Sequence, residues 1–480
     1  MDVRRWTMRS HQLFLAGEWR DAAERMTVRS PYDGRPVAEV ARGGWAELDA
    51  AADAAVRAAR AMGELPGFER ARVLSRATHL IKDHLAELAA AISEEAGKPI
   101  TLARVEAERC RDTFSEATRI ARRPEVEALD LGGFASGAGR LALIRRVPVG
   151  PVLAITPFNF PLNLVAHKLA PAIAAGCPVV LKPASQTPGP ALLLAAALDQ
   201  AGLPKGALSV IPSRGADAER LAADDRIAKL TFTGSMAVGW RLKELGWRRR
   251  VTLELGGNAA VIVEPDAGDL DAIARRIAGA AYGYAGQSCI SVQRVLAHER
   301  IYVDLRRALE EATRQLATGD PADEAVVCGP LIDAANADRV EQWIADGVAA
   351  GGRLLAGGQR EGSVVRPALL EEVPHRCALV SDEVFGPAAV LDPYEDFSQA
   401  LNLVNDSRYG LQAGVFTQDT SKIQEAWARL EVGGIIHNDV PTWRADPMPY
   451  GGVKGSGVGR EGPEWAFREM TEERLLVLRR

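Results

Sequence analysis

The sequence predicts an α/β protein: a doubly wound parallel sheet, a second α/β unit and a small β appendage. Three observations predict this. Five short apolar runs between residues 152 and 255 are separated by helical segments, as expected for parallel strands buried on both faces. A second alternation of runs and helices starts at residue 259. Residues 471–480 end the chain as an apolar strand that needs a partner.

In chain order, residues 12–20 read as a hairpin turning at Gly17, and 30–34 as a loop. Helical spacing of apolar residues fills 47–62, 68–95 and 100–122, punctuated by Pro66, Pro99 and Pro124. After a glycine-rich loop, 140–149 reads as a strand able to pair with the terminal one. The five runs are 152–156, 178–181, 207–211, 228–232 and 251–255, with helices over 160–175, 188–201, 215–224 and 235–245 between them. Beyond lie strand 259–263, helix 268–284, strand 290–298, helices 301–316, 333–350 and 396–406, and strands near 353–356, 388–392, 413–416 and 433–436.

A chain of 480 residues exceeds a single core. A net charge of −5 gives no electrostatic footprint for nucleic acid or an anionic membrane. No long uncharged apolar run predicts a membrane span, and Met1–Ser10 lacks a following apolar region long enough for a signal peptide. Five scattered cysteines, with no CxxC and no HExxH, argue against a disulfide framework and a zinc site, and for a reducing, cytoplasmic location.

The chemistry is placed at Tyr282–Arg294, where Cys289 follows Gly283 and Gly286 at a helix-to-strand corner. A free thiol, with a pKa of about 8.5, needs activation to be a nucleophile at neutral pH. Taken alone, such a cysteine reads more readily as an inert buried thiol. Two glycine patterns, 137–142 and 457–462, imitate a dinucleotide loop but do not link a strand to a helix. Phe232-Thr-Gly234-Ser235 does, and taken alone it reads equally as a pyrophosphate site at that helix start or as a plain turn with a serine cap.

Five motifs then coincide: Pro157-Phe158-Asn159-Phe160-Pro, Phe232-Thr-Gly-Ser235, Leu253-Glu254-Leu255-Gly-Gly-Asn258, Gly286-Gln-Ser288-Cys289 and Asp382-Glu383-Val-Phe385-Gly-Pro387. In order and spacing the chain resembles the NAD(P)-dependent aldehyde dehydrogenase superfamily, in particular its lactaldehyde and non-phosphorylating glyceraldehyde-3-phosphate dehydrogenase-like members. The resemblance implies a Rossmann-type cofactor domain (1–125 and 147–256), a catalytic domain (257–455) and an oligomerisation segment (126–146 and 456–480). A homodimer or homotetramer is implied.

It also implies the reaction: a small aldehyde is oxidised to its acid through a thiohemiacetal and thioester on Cys289, with hydride passing to NAD(P)+ and no metal required. Asn159 would stabilise the oxyanion and Glu254 would activate water. Thr156, Pro157, Phe158, Lys182, Ser185, Phe232, Gly234, Ser235, Leu255, Glu383 and Phe385 would hold the cofactor. Many NAD-selective members carry Glu where Ser185 stands, so NADP acceptance is expected, with Arg214 as a possible nearby cation. Phe160, Arg104, Ser288 and Arg444 are the substrate candidates. Because Ser288 and Phe160 replace residues that phosphate-binding members use, a weakly polar or hydroxylated aldehyde is expected. A coenzyme A-acylating relative is the alternative, disfavoured by the presence of Glu254.

Overall fold

The computed structural model describes residues 9–123, 126–246 and 248–479. The helix stop at Pro124, the domain boundary at 125, most of Met1–Ser10 and the final Arg480 lie outside the described residues.

The five apolar runs form one sheet. Its spatial order is Gly457–Val458, Arg250–Glu254, Lys229–Thr233, Val152–Ile155, Val179–Lys182, Leu208–Val210, Leu13–Leu15 and Glu18–Arg20. The five from Arg250–Glu254 to Leu208–Val210 are parallel. Val152–Ile155 is buried throughout, so it reads as an unbroken apolar run. Lys229–Thr233 is buried as well but carries a polar face: Lys168 Nζ donates to Thr231 Oγ1 at 3.2 Å and to Thr233 Oγ1 at 2.7 Å. The strand order turns at Val152–Ile155, with its successor on one side and a later strand on the other. Such a switch point opens a crevice beyond the carboxyl ends of the strands.

The second sheet runs Arg353–Ala356, Ala368–Glu371, Ala388–Tyr394, Val292–His298, Ala259–Val263, Gln412–Phe416 and Gly434–His437. All its pairs but the first are parallel. Residues 255–258 join the sheets. The joint is tight: a Cβ on Gly256 would sit 2.2 Å from a Glu383 carboxylate oxygen, and one on Gly257 2.0 Å from the Cys289 carbonyl.

The terminal strand Thr471–Arg479 pairs antiparallel with Arg140–Pro148, which pairs with Val126–Asp130. Leu475, Leu476, Val477 and Leu478 on it are exposed.

Four features depart from expectation. Helix 68–95 is two helices, Gly67–Asp83 and Leu85–Ala96, because His84 leaves helical backbone (ψ 16°). Strands Arg9–His11, Glu24–Arg29 and Pro36–Arg42 form an unforeseen three-stranded sheet. The strand Ala368–Glu371 was not foreseen either. Of segment 456–480, only the terminal strand joins the small sheet. Gly457–Val458 pairs with Arg250–Glu254 in the first sheet. Helix Pro463–Glu469 buries Phe467 in the core beneath that sheet, because its apolar face has no other cover.

Among the described residues, no helix is long and apolar enough to cross a membrane, and no group of His, Cys, Asp or Glu could hold a metal ion.

Candidate active site

A cavity of about 820 Å³ opens between the carboxyl end of the first sheet and the second unit, and Asn159, Glu254 and Cys289 all line it. Each comes from a different element. Asn159 follows the switch-point strand, Glu254 ends Arg250–Glu254, and Cys289 precedes Val292–His298.

The helix Leu270–Tyr282 runs into a turn where Tyr284 (φ 55°) and Ala285 (φ 54°) adopt left-handed backbone. Left-handed backbone costs roughly 1–2 kcal/mol per residue. Hydrogen bonds from Tyr284 N to Val327 O (2.9 Å) and from Tyr284 Oη to Ala96 O (3.1 Å) hold it. The turn brings Cys289, half-buried, to the cavity. Its Sγ lies 2.8 Å from Tyr450 Oη. Burial pushes the thiol up to about 12, Glu383 and Glu254 push the same way, and the Tyr450 hydrogen bond and Arg444 oppose them. The resting sulfur is therefore protonated.

Asn159 is buried and donates from Nδ2 to Gln287 O at 3.0 Å, which fixes its amide against the cysteine loop. The second Nδ2 hydrogen remains for another acceptor. Glu254 is buried with neither carboxylate oxygen hydrogen-bonded. Burial first, then the negative charge of Glu461, raises it well above the usual carboxylate range.

Glu461 is held down instead, by neighbouring His167 and the cations Lys168 and Arg444 acting against its burial. Arg444 Nη2 donates to Glu461 Oε1 at 3.0 Å, Lys168 Nζ is 3.6 Å from Oε2, and the Arg444 guanidinium lies 3.8 Å above the Tyr450 ring centroid. Further along, Asp446 accepts from Arg109 through Nε (3.1 Å) and Nη2 (2.8 Å), and from Asn163 Nδ2 (3.2 Å). His167 Nε2 is 2.8 Å from Asp446 Oδ1.

The structure places most, but not all, of the expected cofactor residues on this cavity. Pro157, Phe158, Gly234, Ser235, Leu255, Glu383 and Phe385 line it. Thr156, Lys182, Ser185 and Phe232 sit at neighbouring strand ends but outside its lining. Burial, then the charge of Arg42, pushes Lys182 down to about 8. Arg214 does not supply a free cation: it pairs with Glu24 at 3.1 Å.

The donor set fits a dinucleotide. The Thr156 hydroxyl is buried without a partner, and the Ser235 hydroxyl does not cap its own helix, leaving it and the helix-start N–H groups available. Glu383, pushed up to about 7 by burial, uses Oε1 to accept from Gly257 N–H at 3.0 Å. Phe385 meets Phe158 edge-on, with ring centroids 5.9 Å apart.

Of the substrate candidates, Phe160, Ser288 and Arg444 line the cavity. Arg104 does not. It is exposed and its Nη2 donates to Glu324 at 2.8 Å. On helix Ile100–Arg122 the cavity-facing stripe is Leu102, Val105, Glu106 and Arg109, and Arg104 lies off it. Arg109 thus takes the place expected of Arg104. Lys98, missed in the sequence, also lines the cavity, ion-paired with Glu106 and 3.6 Å from the Phe160 ring centroid. A sequence signal for Arg109 existed: it sits at the edge of the helix's buried face, one turn from Glu106 and Thr113.

Residues 19–476 match the aldehyde dehydrogenase family. The 3-sulfolactaldehyde dehydrogenase of Priestia aryabhattai is 42% identical over 98% of both chains. The crystal structure of aldehyde dehydrogenase 21 from Physcomitrella patens, in complex with the reaction product succinate, superposes with a TM-score of 0.97 at 41% identity, covering 98% of this chain and 99% of that one. The NADP complex of the NADP-dependent glyceraldehyde-3-phosphate dehydrogenase of Bacillus halodurans C-125 gives 0.95 at 33% identity, covering 98% and 99%.

Proposed function

The chain belongs to the aldehyde dehydrogenase family, and from that premise we propose that it oxidises short aldehydes bearing a distal anionic group to their acids, with Cys289, Asn159 and Glu254 in the catalytic roles. The observation that carries this reading is a buried, unpartnered carboxyl, Glu254, facing the same cavity as the only thiol in its lining.

The sulfur of Cys289, once deprotonated, adds to the aldehyde carbon. The oxyanion that forms takes hydrogen bonds from Asn159 Nδ2 and the Cys289 backbone N–H. Removing one such donor typically costs about 2.7–4 kcal/mol in the barrier. Bound NAD(P)+ supplies the hydride acceptor, and the carbon is left as a thioester on Cys289. Glu254 in its ionised form takes a proton from water, the hydroxide adds, and the C–S bond breaks to release the acid and the thiolate. A raised carboxyl pKa suits this base.

The anionic preference replaces the weakly polar substrate expected from Ser288 and Phe160. The cations come from elsewhere: Lys98, Arg109 and Arg444 line the cavity. Arg444 Nε is buried without a partner, and Arg109 spends one edge on Asp446, leaving donors of its fork for a carboxylate or sulfonate. Relatives whose named substrate or product is an organic anion, among them sulfolactaldehyde, succinate and glyceraldehyde 3-phosphate, support the same reading.

Ser185, with no carboxylate to repel a 2′-phosphate, supports NADP acceptance. Five free cysteines suit a reducing, cytoplasmic setting. The exposed apolar side chains of Leu475, Leu476, Val477 and Leu478 support self-association as a homodimer or homotetramer, which light scattering measures. We keep the domain division at 147–256 and 257–455, which the two sheets support.

The test is a panel of aldehydes, anionic and neutral, assayed with both cofactors and with and without coenzyme A. Coenzyme A-independent release of reduced cofactor, fastest with anionic aldehydes and absent in Cys289→Ala, is expected. Turnover that requires coenzyme A would assign the acylating reaction instead.

A further inference from the structure

Tyr450 lies in the loop between Gly434–His437 and Gly457–Val458. Paired backbone bonds pin it there: Tyr450 N to Glu461 O at 3.0 Å and Glu461 N to Tyr450 O at 2.7 Å. Its ring is buried against Ile290 and Leu411, and its hydroxyl is 2.8 Å from Cys289 Sγ. Among the described residues, no other hydrogen bond to this hydroxyl is formed. While the sulfur is a thiol, either atom can donate. Once the sulfur is ionised it can only accept, and the tyrosine can only donate.

We propose that Tyr450 is a catalytic residue, the hydrogen-bond donor that holds the Cys289 thiolate both when it attacks and when it is expelled from the thioester. The steps it serves rest on the aldehyde dehydrogenase reading, whereas the hydrogen bond acts on the sulfur of the free protein. The charged groups facing the sulfur are Glu383 and Glu254, which disfavour a thiolate, and Arg444, which favours it. Arg444 is tied to Glu461, so its help reaches the sulfur through charge. It also stacks on the Tyr450 ring. A cation on the ring face draws electron density from the phenol and makes its O–H a stronger donor. Tyr450 is thus the direct hydrogen-bonded counterweight to two carboxylates.

Proton and electron balance are simple. The thiol proton leaves to solvent before attack, and Tyr450 keeps its own proton throughout. As the S–C bond forms, the sulfur loses its charge and the hydrogen bond weakens. When water has added and the C–S bond breaks, the electron pair returns to sulfur and the hydrogen bond re-forms. Measured from the resting thiol, and from the thioester for the second step, one donor therefore lowers the barrier of both steps.

The experiment is alkylation of full-length protein by iodoacetamide, without cofactor or aldehyde, across pH 7–11, with Cys289 followed by peptide mass spectrometry. In Tyr450→Phe, alkylation should slow by about three- to tenfold across this range, the scale of losing one hydrogen bond to a charged group less the gain in nucleophilicity of a more basic thiolate. Cys377, half-buried elsewhere, serves as internal control and should react as in the parent. Tyr450→Leu should share the slow profile of Tyr450→Phe. A Tyr450→Phe profile identical to the parent overturns the proposal, and so does slowing seen with Leu but not Phe, which would make the ring only a wall. Because no aldehyde is present, the result stands apart from whether aldehydes are oxidised.

Discussion

Glu254 and Glu461 feel each other's charge inside one buried pocket, yet only Glu461 is paired with cations, Arg444 at 3.0 Å and Lys168 at 3.6 Å. The pair therefore divides into one carboxyl that ionises readily, Glu461, and one whose ionisation burial and its neighbour's charge oppose, Glu254. The second faces the cavity with Cys289.

That division gives a pH dependence. Only ionised Glu254 is a base, and its raised pKa means the ionised fraction still grows with pH where an ordinary carboxylate is already saturated. Thioester hydrolysis should therefore accelerate as pH rises through and above neutrality. Glu254→Gln should lose this limb and slow hydrolysis about 10²–10⁴-fold, while the first turnover persists as a burst of reduced cofactor. Rapid-mixing absorbance checks both. A normal steady-state rate in the variant would remove Glu254 from the mechanism.

Arg109→Gln should lower kcat/KM for an anionic aldehyde by about 10–100-fold, the scale of one charge-assisted hydrogen bond of about 1.5–3 kcal/mol. A neutral aldehyde of equal length should be nearly unaffected. Arg104→Ala, on the exposed face of the same helix, should leave both unchanged. Equal losses on both substrates would mean that Arg109 only braces Asp446.

Ser185→Glu should lower kcat/KM with NADP by at least about tenfold and leave NAD comparatively unharmed, because the new carboxylate would face the 2′-phosphate. Steady-state kinetics with both cofactors decides. An unchanged ratio would show that position 185 does not read the ribose.

Glu95 offers a stability test away from the site. Burial pushes it up to about 8, against a hydrogen bond from Gly189 N–H at 2.9 Å. A carboxyl raised in the folded state stabilises most at low pH, and the benefit is lost as pH climbs from its unfolded value near 4.5 to about 8. The loss is of order 3–5 kcal/mol. Glu95→Gln should flatten the difference between urea midpoints at pH 5 and pH 8. An unaltered difference would show that Glu95 does not titrate with folding.

The groups legible in the sequence were those fixed by short-range context. Asn159, Glu254 and the Gly234 turn all follow strands, and a strand's carboxyl end in a parallel sheet declares its own position. Cys289 was legible only through its place 35 residues (289 − 254) beyond Glu254 among the other motifs. Tyr450, Glu461, Lys168 and Asp446 were not, because their partners lie far along the chain and no local pattern encodes the meeting: His167 reaches Asp446 across 279 residues. Arg104 was misplaced for a geometric reason. Five residues along a helix turn the side chain by about 140° relative to Arg109, so choosing the face decides which arginine sees substrate. The split at His84 escaped because apolar spacing continues through it.

The strand Gly457–Val458 also sets a clock. It covers the open edge of Arg250–Glu254, and the neighbouring contact from Ser456 to Gly256 spans 200 residues of chain. At ribosomal rates of about 5–20 residues per second, the earlier strand waits roughly 10–40 s for its partner. Throughout that interval a nascent chain presents an unpaired edge ending in Glu254, open to water and to other chains. The base becomes buried only once residues 456–458 have been made, so no product that stops short of them carries the finished chemistry, and slow synthesis of the stretch between lengthens exposure to aggregation.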